Sequence, residues 1–289
     1  MQKRIEKYIK LAKIGYILMI SSFFAMFLFL ILAIAVDIYF ILLTLLTFVT
    51  LGVGVFMNII FGNRVKDVLG EYIRSYGYDV RYDSCVNEFG AINLIAESNL
   101  IPNIRNDKKK FNDYFEGTID GIGYQFFDMY YYYETTQTTG SGKNRKTTTQ
   151  THSILRGTFF KIYINLKVDC NIIIREKRYN ARMGILNLPK IETESILLSE
   201  KFEIQTDSHE LALRILKPYQ IEALTEIEKM YKGLFSLSIT NNAIYALVND
   251  SRDHFEMTSR GKNPILYDFE KLISVVKYIN KAFKNLEKE

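Results

Sequence analysis

Few side chains in this sequence are spaced for chemistry. His152, His209 and His254 are its three histidines, and none has a second histidine or cysteine three or four residues further on. The short-range pair that would bind a transition metal is therefore missing. His209 lies between Asp207 and Glu210, a trio that could hold a metal or exchange a proton. The same Asp-x-x-Glu spacing is a capping box, which satisfies free N–H groups at a helix start and needs no ligand. The helical run "LALRIL" follows directly, so the cap is the preferred assignment. Glu194 and Ser195 open an apolar run and are assigned to strand register rather than to nucleophilic attack. Gly117, Gly121 and Gly123 form G-x-x-x-G-x-G between two β-rich runs, which suits turn or bulge glycines and not a nucleotide loop. No G-x-S-x-G, H-E-x-x-H or P-loop pattern occurs. No catalytic residue, cofactor or metal is expected from these motifs.

Recognition is the other chemistry on offer. "MYYYYETTQTTGSGKNRKTTTQTHS" runs four tyrosines into a stretch without an aliphatic or aromatic side chain from Glu134 to Thr151. In a strand, alternate side chains point to opposite faces. Phe127, Met129, Tyr131 and Tyr133 then line one face, and Phe126, Asp128, Tyr130 and Tyr132 the other. Tyr130 and Tyr132 are the candidate partner contacts, because tyrosine pairs an apolar body with a polar tip. Residues 135–152 lack the apolar groups needed to pack and are predicted to be a flexible hairpin loop. Lys143, Arg145 and Lys146 at its tip are candidate contacts for anionic headgroups or an acidic partner, with a solvated tip as the simpler alternative.

These residues need a scaffold, and the sequence places one beside a membrane. From Ile14 to Phe61 only Asp37 is charged. A span needs about 20 apolar residues, so residues 14–62 supply two, Ile14–Val36 and Ile38–Phe61, folded back near Asp37. A cleaved signal peptide fits poorly, because the first run is too long and a second follows at once. Five Lys or Arg precede Ile14 in the basic tail 1–13, and Arg64 and Lys66 follow the second span. The positive-inside rule then puts both termini in the cytosol. The net charge is +5, but from Asn63 onward 32 basic residues face 30 acidic ones. That balance gives no basic stripe for a nucleic acid. Cys85 and Cys170 are the only cysteines, which suits free thiols in a reducing compartment, with a single disulfide as the alternative.

Residues 63–77 are predicted to form a juxtamembrane amphipathic helix, with Val65, Val68, Leu69, Tyr72 and Ile73 at helical spacing. Residues 78–289 are predicted to be an α+β domain. "EFGAINLIAESNLIP" suits helix or strand, and "RNDKKK" suits a solvated loop. Two runs around Asp120–Gly123 give a hairpin. "SILRGTFFKIYINL", "CNIIIREKR", "IETESILLS" and "KFEIQTD" follow as strands. "LFSLSIT" and "AIYALVND" pair across Asn241-Asn242. Pro218 starts a helix with Ile221, Leu224, Ile227 and Tyr231 on one face. The last helix carries Leu272, Ile273, Val276, Ile279 and Phe283. Hairpin-length connections imply an antiparallel sheet of about seven or eight strands covered by the C-terminal helices, with a PH-like barrel as the alternative closure.

Three stretches, "FEGTIDGIGYQFFDMYYYYE", "RGTFFKIYINL" and "ESILLSEKFEIQTDSHELALRILKPYQIEAL", resemble a bacterial membrane-protein family known as domain of unknown function 3137. The matching residues are Phe115, Gly117, Gly157, Phe159, Glu194, Ser195, Phe202, Leu211, Ala212 and Pro218. Lys217 stands where the family pattern has Thr. The resemblance covers about residues 85–250 and implies a setting in the bacterial cytoplasmic membrane, with no assigned activity. It also implies a LemA-like membrane protein as a partner, beside the bilayer itself and self-association. The function expected is a membrane-anchored cytosolic binding, scaffold or sensor module. The alternative is a membrane-tethered hydrolase-like or lipid-modifying enzyme whose site is assembled from distant residues.

Overall fold

The computed structural model describes residues 2–35, 39–101, 107–139, 145–164, 169–177, 188–192, 196–231, 235–240, 243–255 and 264–284. The chain divides into two compact units, one of residues 1–78 with 256–266 and one of residues 79–255 with 267–289.

The first unit is a helical hairpin of α1 (Gln2–Ala35) and α2 (Phe40–Arg74). Both helices are long and apolar enough to cross a membrane. Their contacts pair Tyr8 with Phe61, Gly15 with Gly54, Ser22 with Thr50 and Phe29 with Phe40. The partners advance along α1 in steps of seven as they retreat along α2, the signature of an antiparallel heptad seam. Gly15 and Gly54 let the backbones meet: a Cβ on Gly54 would lie 2.8 Å from the Met19 nitrogen. Gly52 faces open space. The amphipathic segment 63–77 is not a separate element over most of its length. Val65, Leu69, Tyr72 and Ile73 are buried on the continuous last turns of α2, which runs through Gly62 and Gly70 to Arg74.

The second unit holds a nine-stranded sheet in the order β1-β2-β3-β4-β9-β8-β5-β7-β6, antiparallel at every pairing. The strands are β1 (Asp79–Cys85), β2 (Lys108–Ile119), β3 (Ile122–Thr139), β4 (Lys146–Ile162), β5 (Ile172–Glu176), β6 (Lys190–Ile191), β7 (Phe202–Thr206), β8 (Phe235–Thr240) and β9 (Ala243–Val248). The helices are α3 (Glu88–Ser98), α4 (Ile196–Lys201), α5 (His209–Ile215), α6 (Pro218–Tyr231) and α7 (Pro264–Phe283). This is the α+β class that the alternation patterns imply, with an open sheet ending on β1 and β6 in place of a closed barrel. Asp120 and Gly121, both at positive φ, make the two-residue β2–β3 turn. The β8–β9 connection also spans two residues, Asn241 and Asn242, which lie outside the described residues.

The sheet is covered on both faces. On one, α3 sets Ala91 and Ile95 against Phe127, Met129, Tyr131, Phe159, Tyr245 and Leu247. On the other, Phe269 of α7 meets Phe115 and Phe126, and Phe126 meets Phe160. α6 packs by its buried Gln220, whose amide donates to the Ala282 carbonyl at 2.8 Å. The apolar stripe expected for the last helix, Leu272, Ile273, Val276, Ile279 and Phe283, is buried throughout.

Three local expectations are corrected. "IETESILLS" is not one strand: Lys190–Ile191 forms β6 and Ile196–Lys201 forms α4, a short turn of helix that Leu, Glu and Lys favour. Its Glu194 and Ser195 lie outside the described residues. "RNDKKK" is not all loop, because Lys108–Lys110 begin β2, and Lys109 reaches the carboxylate of Asp107 at 3.3 Å. The predicted loop 135–152 is largely β-structure. β3 and β4 stay paired from Tyr133↔His152 out to Thr139↔Lys146. Threonine is β-branched and favours extended backbone whether or not a core covers it, so a shortage of apolar residues did not make this segment a coil.

Candidate functional site

The middle of β3 carries the two constellations that bear on function. The first is the tyrosine surface. Tyr130 and Tyr132 share a face, their rings stacked with centroids 4.7 Å apart. The Arg156 guanidinium lies 5.7 Å from the Tyr130 ring and the Lys110 ammonium 5.6 Å from the Tyr132 ring. Four side chains from three adjacent strands thus form a cation–Tyr–Tyr–cation ladder. The strands fix it through register, since Lys110 and Arg156 both oppose Tyr130. Arg156 also faces Asp253 at 3.5 Å. Tyr130 is half-buried and Lys110 exposed, whereas Tyr132 is only 8% exposed. Tyr132 is therefore not the free contact expected. On the opposite face Tyr131 is buried, and its hydroxyl donates to Asp107.

Beyond Tyr133 the hairpin is an exposed arm. His152 stacks on Tyr133 at 4.7 Å, and its Nε2 lies 2.8 Å from the Thr135 hydroxyl. Arg145 and Lys146 are exposed at the far end, and Lys143 lies outside the described residues.

The second constellation was missed at the level of sequence. Asp113, Asp128 and Asp253 each place a carboxylate oxygen within 4.8 Å of the others. Asp113 sits at φ 52° where the β2–β3 register shifts, a bulge that turns its side chain inward. The Tyr82 hydroxyl donates to it at 2.5 Å. Asp128 accepts from the Thr158 hydroxyl at 2.5 Å and from the His254 N–H at 2.8 Å. His254 Nε2 faces Asp250 at 3.2 Å. Burial pushes Asp128 up to about 7, against the pull of His254 and Thr158. Burial alone would lower the His254 pKa, but Asp250, Asp128 and Asp268 together raise it. Burial also lowers Lys271 on α7, whose ammonium lies 4.3 Å from the Tyr231 ring.

Around this cluster, hydrogen bonds fasten the segment after β9 to β3 through His254 and Asp128 and to β4 through Asn249, Ser251 and Arg156. The two cavities described, of about 540 Å³ beside β6 and β7 and about 300 Å³ between α3 and β1–β3, are lined by other residues. Two signals in the sequence pointed to the cluster. Asp128 interrupts "FFDMYYYY", and Asp250 precedes His254 by four residues.

The remaining motif residues are structural. A Cβ on Gly157 would lie 1.9 Å from the Val248 carbonyl oxygen, and one on Gly117 would lie 2.2 Å from that of Asp79. Both glycines therefore allow a neighbouring strand to approach. Pro218 begins α6 as expected. The capping box does not form: Ser208 is the N-cap of α5 and makes no side-chain cap bond. Asp207 instead accepts from the Asn171 backbone at 2.9 Å and its side-chain amide at 2.8 Å. That cross-strand tie holds its carboxylate away from the helix, and Glu210 is left in the first turn of α5. Cys85 and Cys170 are both free thiols, and burial raises Cys170 to about 11.

Residues 153–287, from β4 through α7, match the profile of a family described as "Protein of unknown function (DUF3137)". This part of the chain is similar to that family. The matched region contains Arg156, Asp250, Asp253 and His254, but not Lys110, Tyr130, Tyr132, Asp113 or Asp128. Each constellation thus draws on residues both inside and outside the matched region. No curated protein matches the chain. Among solved structures, the mycobacterial trehalose monomycolate transport factor A, TtfA, matches at 7% identity. The match covers 75% of this chain and 93% of that one with a TM-score of 0.43, too low to carry an argument.

Proposed function

We propose that this protein is a membrane-anchored binding module. Its hairpin of α1 and α2 spans the bilayer with both termini cytosolic, and its α+β domain captures an acidic partner on the Tyr130–Lys110–Arg156 surface. The cation–Tyr–Tyr–cation ladder carries this reading. It joins aromatic area to positive charge on rigid strands, the composition that concentrates binding energy at interfaces. The partners that fit the setting are a LemA-like membrane protein or a second copy. The enzyme alternative is less well supported, since the perturbed Asp128 and His254 line neither described cavity.

The test is capture from detergent-solubilised membranes by wild type and by Lys110→Glu with Tyr130→Ser. Capture is expected to fall about tenfold in the double variant, in line with the loss of one interface anchor. Equal capture removes the ladder from the binding surface. Topology is tested separately. A cysteine replacing Asp37 should react with an impermeant maleimide on intact cells, and one near Glu289 should be protected.

A further inference from the structure

The β3–β4 arm is the element that its own fold explains least. Seven cross-strand pairs, from Tyr133↔His152 to Thr139↔Lys146, carry it past the end of the sheet. All residues at 134–139 and 145–151 are exposed. A two-stranded ribbon with no apolar face is marginal by itself in water. Free strand edges invite pairing, and folded proteins guard them with lysines, prolines, bulges or a covering element. Thr147–Thr151 has none of these: no charge, no proline, no register shift, and no strand beside it among the described residues. The β4 edge is also the longer one. β2 covers β3 as far as Tyr132, whereas β9 meets β4 only from Thr158. Arg156 is tied to Asn249 and Ser251, so the free edge runs from Lys146 to Leu155.

We infer that this edge of β4 pairs antiparallel with the same edge of a second copy, joining two arms into a four-stranded ribbon. The sequence of the edge is self-complementary. With the two-fold axis at Thr149, Thr148 faces Gln150, Thr147 faces Thr151 and Lys146 faces His152. No like charges meet through the centre, and facing threonines stabilise an antiparallel pair. An isologous contact of this kind closes at two copies and leaves no open end to propagate from the β4 edge. A strongly acidic or basic strand would find no counter-charge between Thr147 and Thr151. Two bilayer-spanning helices in each chain would hold copies on one surface and raise their effective concentration. Apart from that contribution, the inference does not rest on the tyrosine ladder, which lies nearer the sheet.

The test uses the full chain in native membranes, with Cys85→Ser to remove the exposed thiol. Single cysteines replace Thr147, Thr148, Thr149, Gln150 and Thr151 in turn, with Glu88→Cys on α3 as the reference. Mild oxidation is expected to give a disulfide-linked species of twice the chain mass. The yield should peak at one arm position, about fivefold or more above the reference, because only directly opposed pairs approach closely. Yields equal to the reference at every position, or a main product of another mass, overturn the inference. A second variant adds Thr148→Lys and Gln150→Lys to the best reporter, setting like charges face to face. Its cross-linking should fall about fivefold with unchanged circular dichroism, and an unchanged yield also overturns the inference. Loss of cross-linking here with intact capture by the ladder, or the reverse, separates the two readings.

Discussion

One hairpin, two environments: the inner half of β3–β4 and its outer half share a ladder but little else. From Tyr124 to Met129 every β3 side chain is buried, alternating between two faces that are both covered. From Glu134 to Thr139 every side chain is exposed. Helices cover the inner half, and the described residues place nothing over the outer half. Strand formation and burial are therefore separate decisions. Local preference and cross-strand pairing extend a ribbon, while burial depends on what other elements reach it.

Substitution at equivalent depths along the hairpin sharpens this contrast. The largest effect is expected at Phe126, which is fully buried and touches Phe115, Tyr124, Phe160 and Phe269. Phe126→Ala should destabilise the domain by about 3–5 kcal/mol. Thr136→Ala in the arm should stay within about 0.5 kcal/mol. Urea midpoints of the two variants measure the difference, and similar losses would mean that the arm is part of the cooperative core.

The boundary between the halves falls at the tyrosines. Tyr132→Ser should cost about 2–3 kcal/mol because it opens a cavity under Lys110, and Tyr130→Ser about 1 kcal/mol or less. Reversal of that order would place the boundary one turn of the pleat further in. Tyr130 is thus the substitution that probes binding with least disturbance to folding.

A smaller effect, visible only as a pH dependence, separates the halves electrostatically. Asp128 titrates near 7 when folded against 3.8 ordinarily, and His254 is raised as well. Both bind protons more tightly in the folded protein, so their contribution to stability is lost as pH rises. For Asp128 the loss runs from 3.8 to about 7, and for His254 it runs upward from 6.5 through its raised value. Asp250, held below its usual value despite burial, by His254 and Arg252, works oppositely at low pH. Thermal stability should therefore fall as pH rises from about 4 to about 7 through Asp128, and further above 6.5 through His254. Asp128→Asn should flatten that fall, as measured by Tm across the range. An unchanged slope would show that Asp128 does not carry it. Removing Gln137–Thr149 for a short Asn-Gly turn should leave this profile in place.

The sequence by itself determined the elements whose signals are local. Charge-free length gave the two long helices, period-two and period-3.6 patterns gave most strands and the last two helices, and Asp120-Gly121 gave its turn. It also placed Tyr130 and Tyr132 on one face, because strand alternation is a property of the backbone alone. Tertiary structure decided the rest. That Tyr132 is nearly covered while Tyr130 is half-buried is set by packing and not by alternation, which treats the two alike. Asp207 could cap a helix, but Asn171 from β5's approach takes its carboxylate first. Asp113, Asp128 and Asp253 stand far apart in the chain, and only a bulge, a strand centre and a loop folded over them bring their oxygens within 4.8 Å. Contacts of that kind leave no periodic trace, because their energy depends on distance in space and not on separation along the chain.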